Sequence, residues 1–221
     1  MGAKRAPILL GTRSWGKRRE LGEIFQDFDF EVVDLDTAGI AYNEAEDEVE
    51  SYGTFEENAL AKARYFNQLS GMPTIADDSG LVVDALGGAP GVLSKRYSGK
   101  TDRDGWDLDV SNNAKLLREL ERVEREHSAR GEPPPPRSAR YVCVAAYVGP
   151  SGEMTREGTI EGRVIDKPRG TGGFGYDPQV EVPELGGLTM AEADWAVKAQ
   201  VSHRGRAFRA LLPALREIGW A

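Results

Sequence analysis

The sequence predicts an α/β protein, on three observations. The apolar run Pro7 to Leu10 passes through Gly11-Thr12-Arg13-Ser14 into helical spacing at Leu21, Ile24, Phe25 and Phe28, and Phe30 to Leu35 then reads as a strand. A strand, a helix and a second strand in that order favour a sheet with a helical crossover. Strand patterns recur at Pro73 to Ala76, Leu81 to Val83, Tyr141 to Val148 and Thr155 to Glu161, with helical patterns between and after them. At 221 residues the chain can bury a core in one large domain, or in two lobes sharing one sheet.

Each remaining element has its own signal. The acidic stretch Asn43 to Glu50 reads as loop. Thr54-Phe55-Glu56-Glu57 fits a capping box, with Thr54 as N-cap and Glu57 able to reach back, ahead of a helix over Asn58 to Leu69. Asp77-Asp78-Ser79-Gly80 reads as a polar interruption between two strand pieces, too abrupt to be core. Leu116, Leu117, Leu120 and Val123 share one face of a helix over Ser111 to Glu126. Gly131-Glu132-Pro133-Pro134-Pro135-Pro136 follows as a stiff exposed linker without chemistry, within a proline-rich loop over 130–137. Gly149-Pro150-Ser151-Gly152 sits where a hairpin is expected, and a last helix over Ser202 to Ile218 is expected to kink or break near Pro213.

Charge and composition limit the partners. With 28 basic and 36 acidic residues the net charge is -8, which argues against a broad nucleic-acid surface but permits a small basic phosphate pocket. The single cysteine, Cys143, lies in an apolar run and reads as a buried inert thiol. The N-terminus has only a four-residue apolar stretch, too short for a signal-peptide core or a membrane span, and the Gly2 start lacks Ser or Thr at position 6. A cytoplasmic protein without membrane partner is expected.

Five segments carry candidate chemistry. Gly11-Thr12-Arg13-Ser14-Trp15-Gly16-Lys17-Arg18 has Walker A spacing, with Arg18 where a magnesium-binding Ser or Thr belongs. A strand feeding a helix start offers backbone N–H groups to phosphate in any case, and Lys17 adds charge. The plain alternative is an ordinary helix capped by Ser14. Glu50 with Asp77-Asp78 supplies oxygen ligands for a magnesium ion bridging substrate phosphates, although aspartates before Ser-Gly also occur in ordinary turns. Asn58 and Lys62, four apart, share one helix face and suit phosphate oxygens; an exposed helix surface explains them equally well.

Arg169 to Pro178 formally contains GxGxxG at Gly170, Gly172 and Gly175, but no helical period follows, so the dinucleotide reading fails. A flexible glycine run ending in Phe174, Gly175, Tyr176 and Asp177 instead suits a loop that lets a planar base stack on Phe174 or Tyr176, against the alternative of a tight turn with a core aromatic. Lys198, with Ser202-His203-Arg204-Gly205, places donors before or within the first turn of the last helix. A lone histidine is more often structural, yet His203 beside Arg204 makes a donor pair for carbonyl oxygens of a base.

In order and spacing, over nearly the whole chain, these segments resemble the inosine triphosphate pyrophosphatase family. The resemblance rests on Phe55-Glu56-Glu57-Asn58-Ala59, on Ala76-Asp77-Asp78-Ser79-Gly80-Leu81 running through Gly88-Ala89-Pro90-Gly91 to Arg96-Tyr97, on Gly170 to Pro178, and on Ser202-His203-Arg204-Gly205. It implies one domain of two lobes, a long mixed central sheet, an active cleft between the lobes, a homodimer, and magnesium-dependent release of pyrophosphate from ITP, dITP and XTP, clearing them from the nucleotide pool. Carried over by motif, Thr12 to Lys17 and Lys62 hold the triphosphate, Glu50 and Asp78 the metal, with Asp78 also the base. Ser79 contacts substrate, and Phe174 to Asp177, Lys198, His203 and Arg204 form the base pocket. The chain departs from the family at the first loop, where the usual Thr-Gly-Asn becomes Thr12-Arg13-Ser14, leaving open whether Arg13 meets phosphate or water.

Two rival readings remain at this level. Arg18-Arg19-Glu20-Leu21 after a Ser-containing loop also resembles Maf-like nucleotide pyrophosphatases, a likeness that stops at that helix. A silent nucleotide sensor would keep the binding segments and form no product.

Overall fold

The structure is a computed structural model that describes residues 7–28, 30–100 and 107–217. The N-terminal residues considered for targeting, and Ile218 at the end of the last predicted helix, lie outside them. One mixed seven-stranded sheet organises the chain, in the order β2 (Val32–Asp34), β1 (Ile8–Leu10), β3 (Thr74–Val83), β4 (Ser138–Gly149), β5 (Gly152–Val164), β6 (Val180–Val182) and β7 (Leu188–Thr189). β1 pairs parallel with both β2 and β3, while β5 with β6 and β6 with β7 are antiparallel. The α/β reading and the β-α-β opening are therefore what the chain forms.

The chain divides into two compact units, and β3, β4 and β5 each contribute residues to both. Unit 1 takes residues up to Asp78, Cys143–Thr159 and the chain from Ala199 onward. Its strands alternate in period two between two apolar clusters. Ile75, Cys143, Ala145 and Tyr147 join Leu21 and Ile24 of α1 (Trp15–Phe25) and Phe208, Leu211, Leu212 and Leu215 of α5 (His203–Glu217), all fully buried. Ala76, Val144, Ala146 and Val148 face Ala59 and Ala63 of α2 (Phe55–Ser70). Apolar partners on both sides explain why Tyr141 to Val148 is a continuous apolar run.

Unit 2 takes Ser79–Val142 and Ile160–Lys198. Its helix α3 (Leu108–Ala129) opens on an Asp107 cap that accepts from the Val110 N–H, and it buries Asn112, Leu116 and Leu120 at four-residue intervals.

Several expectations need correction. Asp77-Asp78-Ser79-Gly80 does not interrupt the sheet; β3 runs unbroken through it, because the Asp77 side chain is ion-paired inside the unit and needs no turn to reach water. Asn43 to Glu50 is partly ordered as a 3-10 turn over Glu44–Glu48, capped reciprocally by Asn43 and Glu46. At α2 the Thr54 cap holds, but Glu57 meets the Thr54 hydroxyl, which donates to its carboxylate at 2.7 Å. A short helix α4 (Trp195–Val201) was not anticipated, and α5 continues past Pro213, with apolar residues on both sides of it buried. Gly131 to Pro136 is irregular and mostly exposed.

Candidate active site

Within unit 1 the first loop and β3 converge on Asp77. Gly11 ends β1 against α2 so closely that a Cβ there would lie 2.9 Å from the Phe66 ring, which brings the loop beside the sheet. Ser14 then caps α1, its hydroxyl accepting from the Lys17 N–H, but the Lys17 side chain is not on a solvated face. The Lys17 ammonium donates to the Asp77 carbonyl at 3.2 Å and lies 3.0 Å from its carboxylate. From α2, the Lys62 ammonium donates to the same carbonyl oxygen at 2.9 Å and also pairs with Glu50. Two cations thus share one oxygen, beside Asp78, whose carboxylate accepts from the Asn58 amide at 3.1 Å. The same amide donates to the Tyr52 carbonyl at 3.2 Å, so Asn58 ties Asp78 to the chain just after Glu50.

Asp77 and Arg204 depart from their expected roles. Asp77, considered for the metal, is wholly buried and its Oδ2 faces Lys17 and the Arg204 Nε at 3.2 Å, while Oδ1 has no hydrogen-bond partner among the described residues. Burial alone would raise its pKa, but Lys17, Arg204 and Lys62 together hold the carboxyl below the usual carboxylate range. Arg204, assigned to the base pocket, is 1% exposed and donates to Glu20 at 2.6 Å. Burial disfavours its charge, yet Glu20 and Asp77 outweigh that and raise its pKa. Its guanidinium is thus engaged by two buried carboxylates, those of Glu20 and Asp77. Burial also pushes the Cys143 thiol well up, and Asp77 adds to the effect, which disfavours the thiolate form.

Glu20 was missed. It is fully buried, accepts from the Ser202 hydroxyl at 2.5 Å and from Arg204, and entered the sequence reading only within Arg18-Arg19-Glu20-Leu21, with no role assigned. The available signal was helical: Gly16, Glu20, Leu21 and Ile24 form the buried stripe of α1, and a carboxylate on such a stripe must be paired. Ser202 in turn accepts from the Gly205 N–H and so caps α5, while a Cβ on Gly205 would collide with the Ala199 carbonyl. Ser202, Arg204 and Gly205 of this segment thus have structural contacts, and His203 is buried at the helix start.

Trp15 stands 60% exposed beside Arg19, and Thr12 is buried, its hydroxyl accepting from the Ser14 N–H. Arg13 is partly exposed and lies 3.7 Å from the Asp36 carboxylate. Its guanidinium forks onto Glu46 at 2.8 and 3.0 Å and donates to the Ile40 carbonyl at 2.9 Å.

Unit 2 holds the second group. Phe174 N–H donates to Asp177 Oδ2 at 2.8 Å, and the Lys198 ammonium donates to the same oxygen at 2.5 Å while lying 4.7 Å from the Phe174 ring centroid. Lys198 lies in α4, just before the last helix, and is 2% exposed. Gly173 has φ +75° and a Cβ there would strike the Asp177 carboxylate; Gly170 lies equally close to the Ala191 backbone. Packing within the loop, rather than approach of a base, requires those glycines. Tyr176 is corrected as a stacking face: it is 6% exposed, its hydroxyl donates to the Ser94 carbonyl at 2.9 Å, and burial pushes the phenol up. Phe174 is only partly buried. Ser79, half-buried on β3, also belongs to this unit. A surface cavity of about 770 Å³, lined by Glu124, Arg137, Arg163, Asp166 and Glu181 among others, contains none of the predicted residues.

A sequence model of the Ham1 family matches residues 8–214. A relative from Geobacter sulfurreducens named dITP/XTP pyrophosphatase is 44% identical, covering 96% of each chain. Among solved structures, a HAM1 protein from Coxiella burnetii superposes with a TM-score of 0.78 at 34% identity, covering 96% of this chain and 99% of that one. A nucleoside-triphosphatase, dITP/XTP pyrophosphatase, from Mycobacterium abscessus gives 0.66 at 40% identity, covering 94% and 99%.

Proposed function

We infer the activity from a premise the family match supplies: this chain belongs to the Ham1 family. The proposed reaction is hydrolysis of the non-standard purine triphosphates ITP, dITP and XTP to monophosphate and pyrophosphate. The observation that carries it is the meeting of Lys17 and Lys62 on one carbonyl oxygen beside Asp78. Asp77 and Glu50 balance these two ammonium groups in the protein, and polyphosphate oxygens are the kind of acceptor that two converging ammonium groups suit. The names of the relatives above support the substrate class.

Glu50 and Asp78 fit a magnesium ion. Both are hard oxygen donors, and Asn58 links Asp78 to the segment that carries Glu50. Among the described residues no group of three or more His, Cys, Asp or Glu is arranged for a metal, so the remaining ligands come from water and substrate phosphates. Bound there, magnesium supplies charge neutralisation at the phosphate oxygens. Lys17 and Lys62 orient the triphosphate. Asp78, held by Asn58, takes a proton from a water whose oxygen attacks the α-phosphorus; the bond from that phosphorus to the bridging oxygen breaks, and pyrophosphate leaves.

For the base, the proposed reader is Phe174 with the Lys198–Asp177 pair, and His203 on unit 1 keeps its proposed role as a donor to a purine carbonyl. A 6-keto oxygen accepts from such donors, whereas the amino group of adenine leaves buried donors unpaired, a mismatch that supports a preference on the order of 10⁴-fold in well-built sites. The enzyme is further proposed to be a cytoplasmic homodimer that clears these nucleotides; among the described residues no helix is long and apolar enough to cross a membrane. The test is pyrophosphate release with magnesium from ITP, dITP and XTP beside ATP, GTP, dTTP and UTP. Selective turnover of the first three is the expected result. Preference for dTTP or UTP would transfer the chain to the Maf-like class, and binding without product would make it a sensor.

A further inference from the structure

We propose that Arg13 is a positioning residue that presents Glu50 to a divalent cation, by clamping Glu46 and so fixing the segment between Ile40 and Tyr52. The proposal rests on the reading of Glu50 as a cation ligand. Where the resemblance expects glycine, this chain places a guanidinium whose Nε and both terminal nitrogens are engaged by that one segment. The fork onto Glu46 is bidentate, the geometry with the most directional hold available to Arg and a carboxylate. The Glu46 side chain is only 9% exposed, so Arg13 turning toward phosphate would leave a largely buried carboxylate without its cation.

Glu46 carries the clamp into the segment. Its carboxylate also accepts from the Asn43 N–H at 3.2 Å, closing the capping box of the 3-10 turn, and its carbonyl accepts from the Val49 N–H. At the other end Asn58 binds both backbone groups of Tyr52, accepting from its N–H at 2.9 Å and donating to its carbonyl at 3.2 Å. Glu50 lies between these two anchors, four residues beyond Glu46 and two before Tyr52. With both ends fixed, its carboxylate has few arrangements to lose when a cation binds. Removing one anchor restores that freedom.

The sign of the expected effect separates positioning from simple electrostatics. Deleting a positive charge near a cation site tightens cation binding if charge alone matters. Positioning predicts the reverse. Mn²⁺ titrated into nucleotide-free protein and followed by electron paramagnetic resonance is expected to bind Arg13→Gly about 10-fold more weakly than the unaltered chain, the lower end of what loss of a ligand's supporting partner costs. Amide hydrogen exchange over residues 40–52 should quicken in Arg13→Gly and in Glu46→Gln, and the swap Arg13→Glu with Glu46→Arg should restore both protection and Mn²⁺ affinity. At saturating metal the KM for dITP should stay within about 3-fold in Arg13→Gly, since the guanidinium does not touch phosphate.

Unchanged exchange and Mn²⁺ affinity in Arg13→Gly would overturn the proposal. So would a KM raised at saturating metal by Arg13→Gly and not by Glu46→Gln, which would place Arg13 on the triphosphate. Wild-type Mn²⁺ affinity in Glu50→Gln would instead remove the underlying reading of Glu50, while the exchange data still report on the clamp.

Discussion

The two groups of candidate residues differ in how far charge holds them. In unit 1, Lys17, Asp77, Arg204 and Glu20 form a chain of buried and part-buried opposite charges, with Lys62 and Glu50 alongside. In unit 2 a single buried ion pair, Lys198 on Asp177, is joined by contacts to the backbone of the loop over Phe174 to Asp177. Asp109 accepts from the Gly175 N–H at 2.6 Å, Asn113 donates to the Gly175 carbonyl at 2.8 Å, and Gly173 packs on Asp177. Charged side chains kept in place without water need partners of opposite sign, whereas a surface that reads a flat base needs a fixed shape. Among these cations, Arg204 is held wholly inside by Glu20 and Asp77, whereas Lys17 and Lys62 meet on the Asp77 carbonyl oxygen.

That contrast can be broken by substitution. The largest effect is expected at Asp78→Asn, where a lost general base lowers kcat about 10³-fold while thermal unfolding stays close to that of the unaltered protein. Undiminished turnover would end its assignment as base. Next, Arg204→Ala leaves Glu20 and Asp77 buried without their cation and should cost about 3–5 kcal/mol in urea unfolding. If stability is unchanged and only base selectivity suffers, Arg204 faces the substrate after all.

Acid sharpens the same point. The Asp77 pKa is lowered on folding, so its stabilising contribution is complete above the ordinary carboxylate value of 3.8 and is lost progressively as pH falls below it. Unfolding free energies measured from pH 5 down to 3 should therefore decline less steeply in Asp77→Asn than in the unaltered chain. An identical slope in both would mean that the charge network does not operate in solution. The smallest effect belongs to unit 2: Gly173→Ala, at a positive φ and against a carboxylate, should cost about 1–3 kcal/mol and erode preference for dITP over dATP with little change in kcat. Intact preference in that variant would show that loop shape does not read the base.

Much of this was legible in the residues alone. The caps at Ser14 and Thr54 form where the sequence places them, as does the helical face of Leu116 and Leu120. The strands of β4 and β5 were found, one to three residues short at most ends, since pairing extends past the apolar pattern that reveals it. Lys17, Lys62, Asn58 and Asp78, gathered from three segments, do come together around β3. The caps and strands depend on contacts within a turn of helix or on alternation along a strand, whereas the meeting of Lys17 with the middle of β3 spans 60 positions of chain and was reached through the family motifs.

Tertiary structure alone decided which charge met which. Arg204 pairs with Glu20 across 184 positions of chain, and Arg13 with Glu46 across 33. No local spacing encodes either choice. It also decided that Asp77 lies inside a continuous strand and that the Tyr176 ring is closed in. The local pattern of the chain determined its elements because propensity and periodicity act within a few residues. The role of each ionic side chain was settled by burial, since water withdrawn from a charge obliges it to find a partner wherever the fold brings one.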